Sequence, residues 1–210
     1  MPHQNDRPRD RNLAVFPGTF DPLTHGHLDI IRRASRIFGR LIVAVGQNPE
    51  KTQWFSTAER MAMIRELTGD LPNVTVESFD GLTMDYVRQV GAGVILRGIR
   101  DSDDLRVELQ AANTNLLVGG VETVFLMASD QHALTSSTFI KQIVEMGGCG
   151  RESLGRLIPE AVMDRLEARQ THSEPLRSLP QPTPRGRGGR RTLTPKDGVL
   201  QSSKRTRRSK

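Results

Sequence analysis

The sequence predicts an α/β fold, a doubly wound parallel sheet of five strands followed by a disordered basic C-terminal tail. Three observations predict it. Short apolar runs without polar alternation recur five times, as they do in strands buried on both faces. Amphipathic stretches of helical period separate these runs, and right-handed crossovers then lay helices on both sides of the sheet. Periodic apolar residues end near Arg169, and beyond it Pro, Gly, Ser and Arg dominate, leaving too little apolar surface for a core.

The elements follow in chain order. Leu13-Ala14-Val15-Phe16 reads as the first buried strand, closed by Pro17-Gly18. A helix is expected over 25–38, where Leu28, Ile31, Ser35 and Phe38 share a face and Arg32, Arg33 and Arg36 lie mostly opposite. The second strand covers 41–45. Ser56-Thr57-Ala58-Glu59 has the spacing of a capping box and opens a helix through Leu67. Val74-Thr75-Val76 starts the third strand, and Asp80 precedes a helix over about 82–90. Val94-Ile95-Leu96 is the fourth strand. Asp103 is placed to cap a helix whose apolar residues are Leu105, Leu109, Ala112 and Leu116. The fifth strand covers 123–127, with a helix over about 137–146 behind it. A last helix begins near Pro159, where proline suits the first turn.

Charge divides the chain in the same place. Residues 171–210 hold eleven Lys and Arg against two acids, a surplus of nine, so with +6 overall the first 170 residues carry a net −3. The basic character belongs to the tail, and a basic nucleic-acid groove in the globular part cannot be argued from it. The expected organisation is a disordered N-terminus over 1–11, one domain over 12–170 and the tail over 171–210. The single cysteine, Cys149, excludes an intrachain disulfide and reads as a small residue in a glycine-rich turn. No secretory signal is expected from the polar N-terminal residues, and no apolar run approaches the ~20 residues of a membrane span. A cytoplasmic location is expected.

In doubly wound sheets ligands bind beyond the carboxyl ends of the strands. That rule singles out the segments after Phe16, Val45, Phe79, Leu96 and Met127. The first reads Pro17-Gly18-Thr19-Phe20-Asp21-Pro22-Leu23-Thr24-His25-Gly26-His27. A glycine-containing turn entering a helix exposes backbone N–H groups at a positive helix end, which suits a phosphate. It is neither a Walker A loop nor a Gly-x-Gly-x-x-Gly pattern. After the fourth strand, Arg97 and Arg100 flank Gly98-Ile99; guanidinium groups there suit bidentate phosphate binding better than fold stabilisation. Consecutive hydroxyls at Thr135-Ser136-Ser137-Thr138 can cap a helix and also bind phosphate oxygens.

These motifs carry a specific resemblance. Gly18-Thr19-Phe20-Asp21-Pro22 followed by Thr24-x-Gly26-His27 resembles the motif of the nucleotidylyltransferase superfamily, a relative of which occurs in class I tRNA synthetases. From Leu13 to about Arg169 the chain resembles the bacterial phosphopantetheine adenylyltransferases. The resemblance implies a Rossmann-like nucleotidylyltransferase fold, ATP and 4′-phosphopantetheine as substrates, Mg²⁺ on the ATP phosphates without dedicated protein ligands, and a homohexamer. It implies His27 as the group that stabilises the transition state. Thr19, Lys51, Thr83 and Arg97 would bind the acceptor. Thr19, Phe20, His27, Gly98, Ile99, Arg100, Glu108, His132, Ala133, Leu134, Thr135, Ser136, Ser137 and Thr138 would bind ATP. His25 stands at a variable position of the motif, His132 where the family often has an aromatic, and Thr83 where an apolar residue commonly meets the pantetheine arm. A nicotinamide mononucleotide adenylyltransferase or a cytidylyltransferase would share the His27 loop, whereas a synthetase needs room for anticodon recognition that this chain lacks. From another class, the tail could bind polyanions such as nucleic acid nonspecifically.

Overall fold

The computed structural model describes residues 9–47, 53–129, 136–147 and 150–172. Five strands, β1 (Asp10–Gly18), β2 (Arg40–Gly46), β3 (Val74–Phe79), β4 (Ala92–Ile99) and β5 (Glu122–Met127), form one sheet in the order β3-β2-β1-β4-β5. Every pairing is parallel, with Val15 opposite Ile42 on one side and Ile95 on the other. The connections are α1 (His25–Ser35), α2 (Thr57–Leu67), α3 (Thr83–Gln89) and α4 (Ser102–Gly119), and α5 (Ser137–Glu145), α6 (Arg151–Leu154) and α7 (Glu160–His172) follow the last strand. The chain winds outward from β1 to β3, then returns across β1 to β4. The order therefore reverses between β1 and β4, and a crevice opens where their carboxyl ends diverge.

The two faces of the sheet are covered unequally. On one face Ala14, Phe16, Leu41, Val43, Val45, Val94 and Leu96 meet α1, α2, α5 and α7 through Leu28, Ile31, Met63, Ile64, Ile140, Val162 and Met163, all buried. On the other, Leu13, Val15, Ile42, Ala44 and Ile95 are covered mainly by Tyr86 and Val87 of α3. The long helix α4 buries only Gly119. Its apolar residues Leu105, Leu109 and Leu116, expected to face the core, are exposed, as are Val107, Leu117 and Val118. Their period is helical, but among the described residues they do not join the core.

Several expected boundaries move. The β4 strand runs through Arg97, Gly98 and Ile99, so the arginine motif begins inside the sheet and not in the loop beyond it. Asp101, and not Asp103, caps α4, accepting a hydrogen bond from Asp104 N–H at 2.8 Å. The α1 helix ends at Ser35 and buries Ile30 and Ala34 besides Leu28 and Ile31. The capping box of α2 is formed as the spacing predicts, Ser56 with Glu59. The four-residue α6 was not foreseen, and α7 continues to His172, two residues past the expected end of the domain.

Candidate active site

A cleft of about 350 Å³ opens at the carboxyl ends of β1 and β4, at the point where the strand order reverses. Its floor begins with the turn out of β1. Phe20 holds a left-handed backbone conformation, φ +50, which is strained for a residue with a side chain. That turn folds the Phe20 ring back over Gly18, where a Cβ would approach the ring to 2.8 Å. The Phe20 ring is buried, packs edge-on against Phe16, and meets the His27 ring in a T-shaped contact at 5.1 Å. A phenylalanine therefore fixes one side of the histidine.

A helix cap fixes the other side. Thr24 is the N-cap of α1, and its hydroxyl accepts from His27 N–H at 3.2 Å. His27 completes the box in return, because Thr24 N–H donates to His27 Nδ1 at 3.1 Å. A backbone N–H can only donate, so Nδ1 carries no proton, and the neutral ring holds its proton on Nε2. Burial, with help from the charges of Arg100 and Arg97, pushes the His27 pKa down to about 4. At neutral pH the site holds an uncharged imidazole with an Nε2–H donor, lining the cleft.

The far wall is built by β4 and α4. Arg97 donates from Nε and Nη2 to the two carboxylate oxygens of Glu108 at 2.7 and 2.5 Å, and from Nη1 to Pro17 C=O at 3.0 Å. Arg100 donates from Nε and Nη2 to Asp104 at 2.6 and 2.8 Å. The two carboxylates lie one helical turn apart on α4, so both guanidinium groups are gripped by the same edge. Between the arginines, Gly98 lets Ile30 of α1 close to 3.2 Å of where a Cβ would stand. The third wall is the start of α5. Ser136, Ser137 and Thr138 line the cleft, and Ser137 Oγ donates to Pro22 C=O at 2.9 Å. Ser136 occupies the N-cap position but forms no side-chain cap bond, which leaves its hydroxyl and the first N–H groups of α5 available to an anion.

Behind the cleft lies a buried polar cluster that sequence reasoning missed. Arg60 of α2 is fully buried and donates from Nη1 to Thr19 C=O at 2.6 Å and Gly46 C=O at 3.3 Å. Its Nη2 reaches Gln53 Oε1 and Thr57 Oγ1. Burial pulls its pKa down while the nearby Asp21 charge opposes the shift. Asp21 accepts from Trp54 and Phe55 N–H, both at 2.9 Å, and pairs with Lys141 of α5. The cluster ties the Thr19 loop to the segment at 53–55 and to α5. Only an arginine at full burial in a helix with little amphipathic character could have signalled it, and burial is not written in the sequence.

The structure brings most of the expected residues together. Thr19, Phe20, His27, Arg97, Gly98, Arg100, Glu108, Ser136, Ser137 and Thr138 all line the one cleft. Glu108 reaches it as the partner of Arg97. Ile99 is buried and is not among the residues lining the cleft, and its carbonyl accepts from Ala128 N–H at 2.7 Å. Thr83 is the first residue of α3 and does not line the cleft. His25 turns the other way, with Nε2 3.1 Å from Gly155 C=O. Lys51, His132, Ala133, Leu134 and Thr135 lie outside the described residues.

The chain is similar in sequence to known proteins. A cytidylyltransferase-like family model matches residues 15–143. The phosphopantetheine adenylyltransferase of Picosynechococcus sp. is 49% identical over 155 residues, 73% of this chain and 85% of that protein. That of Nocardioides sp. is 46% identical over 74% of this chain and 96% of its own length. Among solved structures, Plasmodium falciparum nicotinic acid mononucleotide adenylyltransferase complexed with NaAD has a TM-score of 0.59 over 77% of this chain and 97% of that one. At 12% identity it is a likeness of fold alone. Sharing nearly half its residues with such relatives over about three quarters of its length, this chain belongs to the phosphopantetheine adenylyltransferase family.

Proposed function

We propose that the protein transfers the adenylyl group of ATP to 4′-phosphopantetheine, forming dephospho-coenzyme A and releasing pyrophosphate. The observation that carries this reading is the convergence of a neutral histidine donor, two oriented arginines and an open helix start on one cleft. An oxygen of the acceptor phosphate forms a bond to the α-phosphorus of ATP, and the bond from that phosphorus to the bridging oxygen of pyrophosphate breaks. The attacking phosphate is already ionised at neutral pH, so the reaction needs no general base. Holding two polyanions in line and stabilising charge at the α-phosphorus is the work left to the protein.

The residues divide accordingly. His27 donates from Nε2 to the oxygens that gain charge in the transition state. Arg97, with Lys51, grips the acceptor phosphate, and Thr19 stands between the acceptor and the α-phosphate. Arg100 and the 136–138 turn hold the β- and γ-phosphates. A Mg²⁺ ion, when bound, would supply charge neutralisation for the leaving pyrophosphate. Asp104 and Glu108, the carboxylates in the cleft, are each engaged by a guanidinium, so such an ion would take its ligands mainly from phosphate oxygens and water.

The exposed apolar face of α4, together with Val124 and Met127 on the edge strand β5, supports a homo-oligomer, which we assign as a hexamer from the family resemblance. No helix among the described residues is long and apolar enough to cross a membrane, and we place the enzyme in the cytoplasm. Release of pyrophosphate from ATP, measured with 4′-phosphopantetheine, nicotinamide mononucleotide or neither present, tests the assignment. Release that depends on 4′-phosphopantetheine is expected. Release driven by the mononucleotide instead would replace the acceptor.

A further inference from the structure

The arginine at the phosphate end of the cleft is held by a group to which neither the motif nor the proposed mechanism assigns a part. Asp104 grips Arg100 from both directions, accepting from Nε at 2.6 Å, from Nη2 at 2.8 Å and from the backbone N–H at 3.3 Å. A carboxylate that takes the amide and the guanidinium of one residue curls the side chain into a single conformation. Asp104 is itself placed by the cap of α4, because its N–H donates to Asp101. Guanidinium has five N–H donors in a plane. With the Nε edge occupied, the donors left to a ligand are those of Nη1 and the outer N–H of Nη2, and Arg100 lines the cleft.

We propose that Asp104 is a positioning residue for adenylyl transfer, orienting Arg100 so that its terminal edge meets the β- and γ-phosphates of ATP, or pyrophosphate in the reverse reaction. This rests on the assignment of Arg100 to those phosphates. A carboxylate beside a polyphosphate site repels the ligand, so its presence there is unfavourable unless it arranges a stronger attraction. The electrostatic relation is mutual: Arg100 holds the Asp104 carboxyl below its ordinary range, and Asp104 raises the Arg100 guanidinium. Removal of Asp104 takes a repelling charge out of the cleft and frees Arg100 from its held conformation, so weaker binding on removal reads the lost orientation. Arg97 and Glu108 repeat the device one turn further along α4, at the acceptor end.

The test is a double-mutant cycle read by calorimetric titration of pyrophosphate, with a chelator present, into the full-length protein and the variants Asp104→Ala, Asp104→Asn, Arg100→Ala and Asp104→Ala/Arg100→Ala. Asp104→Ala is expected to weaken pyrophosphate binding roughly tenfold, the scale of coupling between residues in one ion-pair network. Asp104→Asn, which keeps one acceptor oxygen, is expected to fall between. The double variant is expected to bind no more weakly than Arg100→Ala alone. In the reverse reaction KM for pyrophosphate should rise while KM for dephospho-coenzyme A stays within twofold (roughly the error of additivity). Unchanged or tighter pyrophosphate binding by Asp104→Ala would overturn the proposal, as would additive losses or an equal rise in both KM values. A loss seen only when Mg²⁺ is added would make Asp104 a metal ligand and overturn it too. If Arg100→Ala itself binds pyrophosphate like the parent protein, the phosphate assignment fails first and takes this proposal with it.

Discussion

His27 uses its two ring nitrogens for different ends: Nδ1 caps α1, and Nε2 is left with a proton to give. His27→Ala is expected to lower turnover by roughly 10²-fold, the scale of losing one transition-state donor, with little change in KM for ATP. His25→Ala, whose ring meets Gly155 on the far side of the helix start, is expected to keep most activity. With its pKa held down near 4 in the free protein, His27 is expected to stay neutral above about pH 5. An acid limb near pH 6 in kcat/KM for the acceptor therefore belongs to the second ionisation of its phosphate, about 6, and the alanine variant should show the same limb. Stability has the opposite dependence from a paired histidine. The unfolded chain takes up a proton near 6.5 that the folded chain refuses, so His27 subtracts stability as pH falls from there towards 4. Arg60 is the second residue to test. Arg60→Leu strips donors from the Thr19 and Gly46 carbonyls and is expected to destabilise by about 2–4 kcal/mol, read from denaturant midpoints. The two residues differ in how well the sequence announces them. His27 sits in a contiguous motif beside Gly26, whereas the role of Arg60 exists only when Thr19, Gly46 and Gln53 have been folded around it.

At the scale of elements, the central strands β1, β2 and β4 were legible because burial on both faces leaves apolar runs, and the more exposed edge strands β3 and β5 were found from their short apolar segments. What could not be read was where β4 stops. Arg97 breaks the apolar run after Leu96, yet the ladder continues through Ile99 opposite Met127 because Arg97 has Glu108 and Pro17 to satisfy it. The cap of α4 was misplaced by two residues for a similar reason, since Asp101, Asp103 and Asp104 are all chemically suited to it. The face of α4 is the larger surprise. A helical apolar stripe predicts burial, but it does not say against what. Leu117 is 87% exposed, and Val107 and Val118 are each 60% exposed. Leu117→Lys is expected to leave the monomer's melting temperature nearly unchanged, because among the described residues the side chain is almost wholly exposed. Sedimentation should show a smaller assembly than the parent protein forms. An unaltered sedimentation coefficient would remove this face from the interface.

For the whole molecule, the charge division makes a separate expectation. A chain ending at His172 retains the five strands and seven helices of the described residues and discards the eleven basic residues beyond it. Its adenylyl transfer and thermal unfolding are expected to match those of the full chain, while any weak, salt-sensitive binding to nucleic acid disappears. A shortened protein that folds and has lost transferase activity would contradict this. The thin cover over one face of the sheet has a further consequence, because the helix that leaves it thin is also the helix that holds both arginines. Subunits that buried α4 would restrain Asp104 and Glu108, and association and phosphate binding would then draw on the same order. Linkage requires that such a coupling run both ways by the same factor. Specific activity should then fall when the enzyme is diluted below its subunit dissociation constant, and added pyrophosphate should shift that midpoint to lower protein concentration.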